Sequence, residues 1–100
     1  MQQVVPREVA DGSEQPQQSL TDLRPGACGR VTHIAAACQG SERRRLMDLG
    51  IVPGTLITVE MRSPAGNPTA YRVRGALIAL RQEQARFVGV VALQEGAYNE

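Results

Sequence analysis

The sequence predicts a mainly β fold, a small barrel of five strands, and three observations carry that expectation. The run Thr55 to Arg62 alternates apolar and polar residues, the period of a half-buried strand. Further β-rich runs are separated by clusters of turn formers, the densest being Ser63-Pro64-Ala65-Gly66-Asn67-Pro68. The chain of 100 residues, part of it in polar ends, has little core to spare. A domain of about 75 to 80 residues buries only about 60% of its unfolded surface, and a sheet closed on itself uses that surface efficiently.

Met1 to about Gln18 is rich in glutamine and follows neither a 2.0 nor a 3.6 period, so residues 1–18 are expected to be a disordered tail. The domain is expected over 19–93, with 94–100 a second flexible tail. Leu20 and Leu23 precede the turn signal Pro25-Gly26 and are expected to cover one end of the core. Val31 and Ile34 are three apart and cannot share a face of a regular strand; a bulge near Thr32 and His33 repairs the register, and Gly29 helps the strand bend. Ser41 is expected to cap a helix with Glu42 in its first turn, where the dipole favours a negative charge. Leu46 and Leu49 share its buried face, Arg43, Arg44 and Asp48 point to water, and Met47 lies on the flank. Gly50 ends the helix in the left-handed conformation, and Val52-Pro53-Gly54 follows as a tight turn with Pro53 second and Gly54 third. This unit aims the next strand and forms the corner of the fold.

In that strand Ile57, Val59 and Met61 are expected to face inward, as are Tyr71 and Val73 after the hairpin, with Arg72 and Arg74 outward. Gly75 permits a sharp bend, and Ala76 to Leu80 is a strand with both faces partly covered. Gln82 to Arg86 is too short for more than a single helical turn, and Val88 and Val90 line the inner face of the last strand. These elements compose a small SH3-like barrel, with one short helix inserted after the first strand and a helical turn before the last.

The net charge of +1 is too small to argue for a nucleic-acid or anionic-lipid footprint. Tyr71, Phe87 and Tyr98 are the whole aromatic complement, too few for a base-stacking platform or a Pro-rich-peptide groove, so no nucleic acid is expected as partner. The apolar runs fall far short of the roughly 18 residues that span a bilayer, so no membrane insertion is expected. With no signal-like start and two cysteines, the chain reads as cytoplasmic with reduced thiols. Cys28, His33 and Cys38 lack ligand-pair spacing, and Cys28 and His33 fall on opposite faces of a strand, so neither a metal site nor a cofactor is expected. A lone histidine without a nearby nucleophile, and the absence of phosphate-binding and nucleophile-elbow motifs, argue against an enzyme. What remains is a basic surface of Arg43, Arg44, Arg62, Arg72, Arg74 and Arg81, either a solvated face or a patch for an acidic protein partner.

The segments LTDLRPGACGRV, RRRLMDLGIVPGT, SPAGNP and GALIALRQEQARFVGV, in this order and spacing, resemble the ferrous iron transport protein A (FeoA) family over about residues 19–91. The resemblance implies an SH3-like fold and a cytosolic accessory role beside the membrane ferrous iron permease, whose cytosolic part is a GTP-binding domain. The tip Ala65-Gly66-Asn67-Pro68 departs from the family's Leu-Gly-Asp-Pro type. Arg45, Leu46, Asp48, Leu49, Gly50, Pro53 and Gly54 match the family motif one by one, most of them for structural reasons. Asp48 is different, because a carboxylate near a helix C-terminus is disfavoured by the dipole; it is expected to be held by Arg44, by Arg45 or by a partner. The expected partner-binding set is Arg43, Arg44, Met47, Asp48, Arg62, Arg74 and Arg81, directed at the permease's cytosolic domain, with self-association left open. The alternative is a regulatory SH3-like module acting on an iron-responsive transcription factor.

Overall fold

The computed structural model describes residues 18–93; of the tails expected over 1–18 and 94–100, all but Gln18 lies outside the described residues. β1 (Cys28–Ile34), β2 (Leu56–Arg62), β3 (Thr69–Val73), β4 (Ala76–Leu80) and β5 (Val88–Ala92) make one sheet in the order β4-β3-β2-β1-β5. Every pairing in it is antiparallel, and the sheet curls into an SH3-like barrel. α1 (Gly40–Asp48) is inserted between β1 and β2, and a single helical turn, α2 (Gln82–Ala85), between β4 and β5. Leu20, Val31, Leu46, Ile51, Ile57, Val59, Tyr71, Val73 and Val88 are among the core residues. The expected bulge is present: Val31 pairs with Val90 and His33 with Gly89, leaving Thr32 unpaired and returning Ile34 to the inner face. Gly29 has a packing reason as well, since a Cβ there would lie 3.0 Å from Leu23 Cδ1 and 3.3 Å from Val90 Cβ.

The chain enters the fold slightly before Leu20. The Val90 N–H donates to the Gln18 carbonyl at 3.0 Å, and Ser19 bridges to Gly89. Ser19 caps a 3₁₀ turn over Leu20–Asp22: its hydroxyl accepts from the Thr21 N–H, and its own N–H donates to the Asp22 carboxylate. This reciprocal capping box is compact enough to escape a search for periodicity.

The corner forms as expected at its C-terminal end and differently at its start. Gly50 (φ +96°) is the left-handed residue after the helix. The Gly50 N–H donates to Met47 and the Ile51 N–H to Leu46, the Schellman pattern, with Leu46 and Ile51 buried against the core. Thr55 N–H closes the Val52-Pro53-Gly54 turn on the Val52 carbonyl at 3.0 Å. Ser41, however, is not the cap. Gln39 occupies that position without a side-chain capping bond, its amide donating back to the Ala36 carbonyl instead, and Gly40 (φ +67°) swings the chain into the helix. The entry is held instead by Arg43, whose Nη1 donates to the carbonyls of Ile34, Ala35 and Cys38. Arg43 therefore does not point freely to water. Leu49 shares the helix face of Leu46, but it is half-buried.

Three further expectations are corrected by register. Val59 pairs with Tyr71 but Met61 pairs with Ala70, so a bulge at Glu60 flips the phase and turns Met61 outward, 62% exposed. Arg74 is not a strand residue; at φ +54° it forms with Gly75 (φ +86°) the two-residue turn between Val73 and Ala76, the type I′ geometry of a tight hairpin. In β4 the outward residues Leu77 and Ala79 are exposed rather than partly covered.

Candidate functional site

Of the seven residues expected to bind a partner, Arg43 is engaged by the carbonyls of Ile34, Ala35 and Cys38, and the other six separate into two groups at opposite ends of β2. Its seven residues extend over roughly 20 Å. At the corner end, α1 presents Arg44, Met47 and Asp48, all exposed and spaced i, i+3 and i+4, hence on one face. Met47 is 47% exposed, a large apolar side chain left open between two opposite charges. Arg74 joins them: a Cβ on Gly50 would sit 2.7 Å from Arg74 Cδ, so the arginine stem lies across the glycine that ends α1. Arg74 therefore carries its guanidinium to the end of the helix from a sequence distance of 24 residues.

Leu56 belongs to the same end of the barrel and was not part of the sequence-derived set. It is exposed and one residue from the Ile57–Val73 pair, next to the Arg74 turn. The signal that could have found it is its outward phase in the alternation of β2. Asp48 forms no ion pair with Arg44 or Arg45 among the described residues, where the ion pair present is Arg72–Glu60 at 3.0 Å. Its carboxylate is thus exposed beside Met47 rather than held internally.

Arg62 stands at the other end. Its guanidinium donates to the carbonyls of Thr21 and Leu23, so it binds β2 to the 3₁₀ turn. It also lines a polar cavity of about 50 Å³ with Thr21, Gly66, Thr69, Tyr71 and Gln82, room for about three or four waters and far too little for a nucleotide. Burial pushes the Tyr71 hydroxyl up, against smaller opposing effects of its hydrogen bond to Thr69 and the Arg62 charge. Arg81, exposed, precedes α2 at this end, its N–H held by the Gln84 side chain.

The three residues weighed as metal ligands do not converge. Cys28 and Cys38 are buried and His33 is exposed, its ring stacked over Gly89, where a Cβ would lie 2.5 Å from Cε1. Burial raises the Cys38 thiol, with the Glu42 carboxylate adding and Arg43 opposing, so the thiolate that binds metal or attacks an electrophile is disfavoured. Among the described residues no group of three or more His, Cys, Asp and Glu side chains is placed to hold a metal ion, and no helix is long and apolar enough to cross a membrane.

Comparison with known proteins agrees with this architecture. The family model for the FeoA domain matches residues 18–92. A Porphyromonas gingivalis protein, a fusion of Fe(2+) transport protein A with the Fe(2+) transporter FeoB, is 28% identical over 78 residues. That alignment covers 78% of this chain but 9% of the fusion protein, so the chain spans a small part of its curated relative. Among solved structures, the FeoA-like protein of Clostridium acetobutylicum is 34% identical with a TM-score of 0.68, covering 82% of this chain and 91% of that one. Stenotrophomonas maltophilia FeoA, an SH3 domain protein solved in complex with zinc, is 26% identical with a TM-score of 0.66, covering 74% and 89%. The capped 3₁₀ entry, the α1 corner and all five strands lie inside the matched stretch, and the chain belongs to the FeoA domain family.

Proposed function

We propose that this protein is a cytosolic accessory protein of bacterial ferrous iron uptake, which binds the cytosolic GTP-binding part of the membrane ferrous iron permease and modulates transport. The observation that carries the reading is the relative in which an FeoA unit and a FeoB transporter are one polypeptide. Covalent linkage raises the local concentration of two modules to the millimolar range, which is useful when the unlinked partners meet weakly. The corner surface suits such a contact: an apolar Met47 between Arg44 and Asp48, with Arg74 beside it, offers a small desolvated centre and charges that steer association and fix register.

In this reading the protein acts by binding and not as an enzyme. An arginine finger that stabilises the transferring phosphoryl group contributes about 10³ to 10⁵ in rate, and it must penetrate the nucleotide site. Arg44 lies along the side of a helix anchored by Leu46, and the Arg74 stem is laid over Gly50, so neither protrudes as a finger does. Titration of the permease's GTP-binding domain with this protein at several salt concentrations tests the account. Arg44→Ala is expected to weaken binding and flatten its salt dependence, while single-turnover GTP hydrolysis at saturation changes less than about tenfold with either form. A thousandfold stimulation that vanishes in Arg44→Ala would replace docking with a finger.

A further inference from the structure

The two edges of the sheet are treated differently. β5 has its outer edge occupied by the chain entering the fold, through the Val90 N–H to Gln18 bond and the Ser19–Gly89 bridge. Among the described residues β4 pairs with β3 alone. Its sequence, Ala-Leu-Ile-Ala-Leu, has no charge, proline, glycine or bulge, the devices by which sheet proteins protect an open edge.

Register tells which groups are free. The two-residue turn Arg74-Gly75 is closed by the Val73–Ala76 pair, and Tyr71–Ile78 and Thr69–Leu80 follow at alternate positions. In a hairpin of this kind the closing pair and every second pair thereafter exchange the hydrogen bonds. Leu77 and Ala79 sit between them, so their N–H and C=O groups face away from β3. No other backbone group among the described residues bonds to them. The same two residues carry the exposed outer side chains of β4, with Leu77 56% exposed.

We infer that β4 is a self-association edge, whose occupant is β4 of a second copy running antiparallel about a twofold axis through Ile78. In that register Leu77 opposes the second copy's Ala79, and the free N–H and C=O of each pair bond reciprocally. A large side chain meets a small one on the outer face, and Ala76 meets Leu80 on the inner one. Leu77 of one copy then extends the cross-strand row Ala79–Ala70–Met61 of the other, covering apolar surface that is otherwise open. The next residues outward, Gly75 and Arg81, oppose each other, so no like charges face across the axis.

The size of the contact sets its strength. A five-residue strand is about 17 Å long and buries a few hundred Å² per partner, below the roughly 800 Å² of a standard stable interface. A contact of this size belongs with weak, transient associations. The contact uses none of the α1 surface residues and stands apart from the permease reading.

Sedimentation equilibrium of the full chain from micromolar to millimolar concentration, with amide shifts followed on dilution, tests it. The average mass is expected to rise toward the dimer, with the largest shifts at Leu77 and Ala79. Leu77→Lys, at an exposed position, is expected to raise the dissociation constant at least tenfold with an unchanged thermal midpoint. A monomer throughout, a dimer indifferent to Leu77→Lys, or shifts centred elsewhere than β4 would overturn the proposal.

Discussion

Leu46→Ala is expected to lower the stability of this protein by about 2 to 5 kcal/mol, the range for truncating a fully buried leucine. Leu46 is 0% exposed, and it has two separate jobs. Its side chain joins the core, and its carbonyl accepts the Ile51 N–H in the motif that stops α1. Only the first is lost on truncation, so the damage is a cavity next to Ile51 that the tightly connected corner cannot collapse. At about 4 to 8 °C per kcal/mol for a domain of this size, the thermal midpoint falls by at least about 8 °C. Leu49→Ala, on the same helix face but half-buried, is expected to cost about half as much. Urea unfolding of the two variants checks the order: equal losses, or a larger loss at Leu49, would mean that the helix is rotated about its axis.

Arg43→Met is expected to cost about 2 to 3 kcal/mol in the same assay. One guanidinium nitrogen serves the carbonyls of Ile34, Ala35 and Cys38, and removing a charged donor leaves part-buried acceptors to find water. Arg44→Ala, one residue on and exposed, is expected to stay within about 0.5 kcal/mol of wild type. The pair therefore separates two roles that adjacent arginines in one sequence conceal. A double replacement would weaken binding through lost stability as well as lost contact, so binding experiments should change Arg44 alone. A loss below about 0.5 kcal/mol for Arg43→Met would show that water replaces the guanidinium without penalty.

The elements legible in the sequence were those whose cause is local. Gly50, Pro53 and Gly54 declare their turns by the dihedrals that only they take readily, and the alternation of Ile57 and Val59 declares a face. The β1 bulge was legible because Val31 and Ile34 could be reconciled in no other way. The errors arose where a distant group decides the outcome. Whether Arg43 is a surface charge depends on three carbonyls brought to it by the β1–α1 connection, which no spacing encodes. Met61 continues the alternation of β2 in sequence, and only its pairing with Ala70 instead of its regular opposite reveals the bulge. Arg74 reads as an outward strand residue until the Val73–Ala76 pair makes it half of a turn. For the same reason the candidate surface was half legible. Arg44, Met47 and Asp48 follow from helical spacing, whereas the arrival of Arg74 at Gly50 and the exposure of Leu56 follow from tertiary placement.

The central claim is that the α1 corner is the face offered to the permease, and mapping the contact on this protein tests it most directly. Backbone amide shifts of the labelled protein should be followed while the permease's unlabelled cytosolic GTP-binding domain is added. The account predicts changes concentrated at Arg44 to Leu56 and at Arg74 and Gly75, with Met47→Asp abolishing them at the same concentrations while leaving the fold intact. Changes confined to the hairpin end around Arg62 and Arg81, or a response that survives Met47→Asp unaltered, would contradict it.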